Sequence, residues 1–140
     1  MNATVKVTTL MVPDAEATVA LGRRLGAAFA GQGVVYLLGD LGAGKTTFAR
    51  HLIQALGYEG RVKSPTYTLC EPYLLQIKSG KPSTAASITA HHFDLYRMRD
   101  PLEWQEAGFA EHFDEPGFCL VEWPGKAEGT LPAFDIEIHL

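Results

Sequence analysis

Cysteine is scarce in this chain: its 140 residues include two, Cys70 and Cys119. Both sit in apolar surroundings without CxxC or metal-ligand spacing, so the expectation is two buried thiols in a reducing compartment. Long apolar runs are missing too. No stretch approaches the roughly 20 residues that a membrane span requires. The opening MNATVKVTTL lacks the charged region and apolar core of a secretory signal. The chain therefore reads as cytoplasmic, with no membrane partner. Positive charge is in deficit, 12 Lys and Arg against 16 Asp and Glu, a formal net charge of −4. Strong binding to a nucleic-acid backbone usually draws on a basic surplus, so direct high-affinity contact of that kind is disfavoured. Internal repeats, low-complexity tracts and interdomain linkers are also lacking, and this length suits one domain over residues 1–140.

What is present is an alternation of short apolar runs with helical periodicity. Residues 4–10 read as a strand rich in Val and Thr. Asp14 is placed to cap a helix with Glu16 in its first turn, and Thr18, Leu21, Gly22, Leu25, Ala28 and Phe29 line one face. After the GQG break comes VVYLL, a continuous apolar run of the kind buried on both faces of a parallel sheet. A second helix follows with Ala49, Leu52, Ile53 and Leu56 inward and Gly57 as its stop. YTLCEPYLLQI and ITAHHFDLYR read as paired strands around a polar loop. Asp100, Pro101 and Glu103 form a capping-box start for a helix running to about Phe113. FCLVEW and FDIEIHL supply two more strands. The pattern predicts an α/β, P-loop NTPase-like three-layer fold with a mixed, partly antiparallel central sheet.

Between the first apolar strand and the second helix stands GDLGAGKTTFAR. Its Gly39-x4-Gly44-Lys45-Thr46 spacing is that of a phosphate-binding loop. Glycines let backbone N–H groups close around phosphate oxygens, and the helix N-terminus adds positive potential. Gly39, Gly42, Ala43, Gly44, Lys45, Thr46 and Thr47 are the expected nucleotide contacts. Lys45 reaches the terminal phosphates and the hydroxyl of Thr46 ligates Mg2+. The Asn/Thr-Lys-x-Asp element of guanine-specific switches is absent, which favours ATP.

A magnesium site also needs a carboxylate at a neighbouring strand end. Glu122, ending Phe118-Cys119-Leu120-Val121, and Asp94, ending the run before LYR, both qualify. Thr66, in KSPTYTL after the loop helix, stands either in a switch that senses the γ-phosphate or in a proline turn entering a strand. Arg97 is an arginine finger in cis or a surface ion pair. Trp123 stacks on a partner or packs in the core. His51, His91, His92 and His112 show no metal-ligand spacing, and of the adjacent pair one ring is expected to face the core.

GDLGAGKTTFAR, VKSPTYTL, HFDLYR with the following DP helix start, and LVEWP, in that order, resemble the TsaE family of small bacterial P-loop ATPases. The resemblance covers nearly the whole chain. It implies Lys45 on phosphate, Thr46 and Glu122 on Mg2+, Thr66 in a switch loop and Asp94 in the catalytic centre, and Trp123 matches the family's tryptophan. It also implies a role in forming threonylcarbamoyladenosine in tRNA, with the TsaB and TsaD proteins as partners and tRNA held mostly by them. Two departures stand out. IKSGKPSTAASITA is longer than the family's connection between the paired strands. The family pattern also runs on past EIHL into a Gly-Arg turn and a last strand, whereas this sequence ends at Leu140.

Three fates for a bound phosphate follow. Water accepts it in a partner-dependent ATPase, in which Asp94 or Glu122 orients the attacking molecule. A nucleotide-dependent assembly module would bind without significant hydrolysis. A small-molecule kinase would need an arginine-rich lid, and nothing after Phe113 has that composition. With no convincing arginine finger in cis, turnover by the chain alone is expected to be slow.

Overall fold

In a computed structural model, which describes residues 7–11, 14–29, 32–63, 65, 68–77 and 86–140, the apolar runs assemble into one five-stranded sheet. The elements in chain order are helix α1 (Ala15–Phe29), strand β1 (Gly33–Leu38), helix α2 (Lys45–Ala55), and strands β2 (Cys70–Ile77) and β3 (Ala86–Asp94). Then come the one-turn helix α3 (Glu103–Glu106), a 3-10 turn (Phe109–Phe113), strand β4 (Gly117–Glu122), a second 3-10 turn (Pro124–Ala127) and strand β5 (Ile136–His139). The strand order is β2-β3-β4-β1-β5. Strand β1 runs parallel to β4 and β5, and β4 parallel to β3, while β2 is antiparallel to β3. The sheet is thus mixed, with the antiparallel pair confined to one edge.

Alternation along the strands divides the core in two. Val35 and Leu37 of β1 and Phe118 and Leu120 of β4 meet Phe48, Ala49, Leu52 and Ile53 of α2, with Leu21 and Leu25 of α1 beside them. Tyr36, Phe93, Cys119 and Val121 point the other way, onto Trp104, Met98 and Ala127 with Phe109 and Phe113. Because both faces are covered, these strands read as unbroken apolar runs. Burial pushes the thiols of Cys70 and Cys119 up to about 12, so both stay protonated.

Local chemistry explains the helix ends. The Ala17 N–H donates to Asp14 Oδ1 at 2.8 Å, an N-cap contributing about 1 kcal/mol. A Cβ at Gly22 would lie 2.8 Å from Ala55 Cβ, so the absent side chain lets α1 approach α2 closely. At the end of α2, Gly57 N–H donates to Gln54 O and Tyr58 N–H to Ile53 O, the paired bonds of a Schellman stop.

Three expectations change. Of the anticipated N-terminal strand, residues 7–10 join no strand and are exposed, and residues 4–6 lie outside the described residues. Ala28 is exposed, so the apolar face of α1 stops short of it. The helix anticipated from Asp100 to Phe113 begins later than read, at Glu103 with Leu102 as its N-cap, although the Asp100 N–H does donate to Glu103 Oε1 and the Leu102 N–H to Asp100 Oδ1. It then breaks at Gly108, whose φ of 84° is left-handed, and resumes as the first 3-10 turn. No helix among the described residues is long and apolar enough to cross a membrane.

Candidate functional site

Three of the four parallel strands, β1, β3 and β4, end side by side. Register pairs Leu37 with Glu122 and Asp94 with Glu122, so the loop leaving β1 and the two carboxylates share one edge of the sheet. Ligands of open α/β sheets gather at such carboxyl ends. Period-two alternation then sets the face. Glu122 has the parity of Phe118 and Leu120, which pack against α2, and it comes out beneath the first turn of that helix.

The loop itself is glycine-driven. Gly42 and Gly44 hold φ of 84° and 95°, and a Cβ on either would meet nothing within 4 Å, so the mouth of the loop is open. Gly44 is the N-cap of α2 and no side chain caps it, which leaves the helix start for an anion. Gly39 sits at the strand end, and the Ala43 N–H closes the turn on Asp40 O at 3.0 Å. Thr47 is exposed in the first turn of α2.

Lys45 is 5 % exposed. Its ammonium donates to Gly39 O at 2.7 Å and Asp40 O at 2.8 Å, and lies 4.2 Å from the centroid of the Trp123 ring. The Thr46 hydroxyl reaches Glu122 Oε1 at 3.0 Å and Oε2 at 3.2 Å. Glu122, 2 % exposed, is also held by His92 Nε2 at 2.6 Å. Burying a carboxylate is costly unless it is well bonded, and these two partners meet that need. Asp94, buried alongside, accepts the Tyr96 N–H on Oδ1 at 3.1 Å. Burial raises its pKa above the usual carboxylate value, and the charge of Glu122 adds to the rise.

Trp123 follows Glu122 in the left-handed region, φ 58° and ψ 50°, a strained setting for a bulky residue. The strain turns its ring between Lys45 and Tyr96, whose centroid is 5.0 Å away. Trp123 is half-buried and packs against the core cluster of that face, in line with the packing reading. Thr66 lies outside the described residues. The flanking loop does reach the site, since the Asp94 N–H donates to Leu69 O at 3.0 Å. Arg97 is exposed on the turn after β3.

Sequence reasoning missed His92. One ring of the adjacent pair was expected in the core, yet both are buried, on opposite faces of the sheet. The signal was available: His92, Asp94 and, through the strand pairing, Glu122 share one parity, so a ring at 92 must face the same edge.

Comparison with known proteins agrees with this arrangement. The family model described as threonylcarbamoyl adenosine biosynthesis protein TsaE matches residues 12–140. The chain is 46 % identical over 107 residues to the tRNA threonylcarbamoyladenosine biosynthesis protein TsaE of Haemophilus influenzae, covering 76 % of this chain and 61 % of that protein. It is 40 % identical over 116 residues to the protein of the same name from Bacillus subtilis, covering 82 % and 66 % of the two. This chain thus spans somewhat less than two thirds of the length of these relatives. Among solved structures, Bacillus subtilis YdiB superposes with a TM-score of 0.59 at 33 % identity, over 90 % of this chain and 70 % of that one. A match that takes in the glycine-rich loop, both strand-end carboxylates and the sheet that aligns them leaves one conclusion: the chain belongs to the TsaE family.

Proposed function

We propose that this chain is a Mg2+-dependent, ATP-binding and ATP-hydrolysing protein of the P-loop NTPase type. In this reading it supports threonylcarbamoyladenosine formation in tRNA through a complex with TsaB and TsaD. The observation that carries the reading is the Thr46 hydroxyl on the Glu122 carboxylate, at 3.0 and 3.2 Å, under an uncapped helix start. A hydroxyl and carboxylates at one sheet edge are hard oxygen donors, the set that suits Mg2+. Bound there, the ion would neutralise phosphate charge alongside the Lys45 ammonium.

The chain's own groups divide the remaining work. Gly42, Ala43 and Gly44 present backbone to the phosphates, with Gly39 leading into the loop and Thr47 beside its exit. Lys45 has three donor protons and directs two bonds at loop carbonyls, so its charge is already stationed at the loop. Thr46 and Glu122 hold the metal. His92 fixes the Glu122 carboxylate from behind. Glu122 is thus committed to Thr46 and His92, whereas Asp94, among the described residues, accepts a hydrogen bond from the Tyr96 N–H through Oδ1 alone. That asymmetry favours Asp94 over Glu122 as the group that orients water, with Thr66 as the switch residue. The positive balance needed for tRNA is lacking, which leaves tRNA to the partners.

Phosphate release from ATP, measured alone and with the TsaB–TsaD pair, tests the proposal. Slow Mg2+-dependent release that rises with the pair, and disappears in Asp94→Asn while ATP still binds, is the expected result. Tight ATP binding with no release in either setting would leave a nucleotide-dependent assembly module instead. Stoichiometric phosphorylation of a metabolite would point to a kinase.

A further inference from the structure

On the sheet face away from the phosphate loop, His91 of β3, His112 of the first 3-10 turn and Glu115 before β4 converge. Nε2 of His91 lies 3.9 Å from Glu115 Oε2, and Nδ1 of His112 lies 3.7 Å from Glu115 Oε1. One ligand atom from each of the three falls within 4.8 Å of the others. Both carboxylate contacts are too long for hydrogen bonds. They are close to the separation of two ligands on one tetrahedral zinc ion, about 3.4 Å for bonds near 2.1 Å. Nδ1 of His112 is buried and makes no hydrogen bond, a condition that it shares with Nδ1 of His92 at the other site and that native structures seldom leave unmet.

From this geometry we infer that His91, His112 and Glu115 form a site for a divalent ion of the zinc class, independent of the nucleotide site. Two imidazoles and one carboxylate are a donor set suited to zinc, cobalt or nickel rather than magnesium. The rings stack with centroids 3.8 Å apart and planes 15° from parallel, so their in-plane lone pairs do not yet converge on one point. Closing on an ion takes a χ2 turn of His112, and that torsion is soft. An adjoining cavity of about 360 Å3, lined by His112, Glu115, Gly117 and Cys119 among others, gives access and room for a water in the fourth position. The ion would fasten the 3-10 turn to β3 and the start of β4.

Zinc titrated calorimetrically into the chelator-treated chain, with excess Mg2+ present, tests the site. One zinc per chain is expected, with affinity falling roughly tenfold or more in His112→Gln and in Glu115→Gln. Both positions are partly exposed, so these variants should fold. His139→Gln, at an exposed His139–Glu137 pair, should leave affinity unchanged. Zinc should raise the melting temperature of the parent and not of His112→Gln. With cobalt in place of zinc, tetrahedral d–d absorption should appear and vanish with His112. No zinc uptake would overturn the inference, as would uptake that survives both variants or follows His139.

Discussion

His91 and His92 are chain neighbours with the same side chain, yet they live in different chemistry. His92 points to the α2 face, where its Nε2 meets Glu122 at 2.6 Å and helps hold the carboxylate beside Thr46. His91 points to the other face, where its ring stacks on His112 and a carboxylate stands off at 3.9 Å. One has a close, charge-assisted partner, and the other has a gap. A strand gives adjacent residues to opposite faces, so identity and proximity in sequence say little about environment.

Four measurements would break or sharpen that contrast. The largest effect is expected from Glu122→Ala, which removes the proposed metal carboxylate and the partner of both Thr46 and His92. Mg2+-dependent phosphate release should fall roughly 100-fold or more. A variant that turns over like the parent would move the metal carboxylate elsewhere. Next, His92→Ala leaves a buried carboxylate short of a bond and should cost about 2–3 kcal/mol in urea unfolding. A loss under 1 kcal/mol would mean that the 2.6 Å contact contributes little.

The third concerns pH, read in chelator-treated protein. The folded pKa of His91 is lowered from 6.5 to about 4, so between those values the unfolded chain binds the proton and the folded chain does not. Stability should therefore decline as pH falls from about 6.5 toward 4. Replacing His91 with Gln should flatten that part of the profile. An unchanged slope would assign it to other groups, with His112 and Glu115, which face His91, tested next. The smallest effect belongs to Lys45 and Trp123. A double-mutant cycle of Lys45→Met with Trp123→Ala should return a coupling of about 0.5–1 kcal/mol, the range for a cation over an aromatic face.

Much of the arrangement was legible in one dimension because it depends on local rules. Glycines at 42 and 44 announce positive φ, Asp14 announces a cap, Gly57 announces a stop, and unbroken apolar runs announce buried strands. Legibility failed where a distant contact had to be known. The helix expected up to Phe113 splits at Gly108, with Trp104 fixed by a bond from Nε1 to Thr130 Oγ1 at 2.7 Å, a residue far along the chain. Residues 7–10 have the composition of a strand, but they pair with no strand among the described residues. The histidines show no ligand spacing in sequence because His91 and His112 meet only when the 3-10 turn folds back on β3.

The sequence by itself determined the glycine-rich loop at 39–47, the apolar alternation and the residue types at the strand ends. Short-range sterics and period-two geometry act within a few residues, so they can be read without a fold. Only the tertiary structure decided that Glu122 lies under Thr46, that His92 rather than His91 supports it, and that Trp123 meets Lys45. Those facts depend on which strands are neighbours and in what register, and register is set by packing summed over the whole sheet.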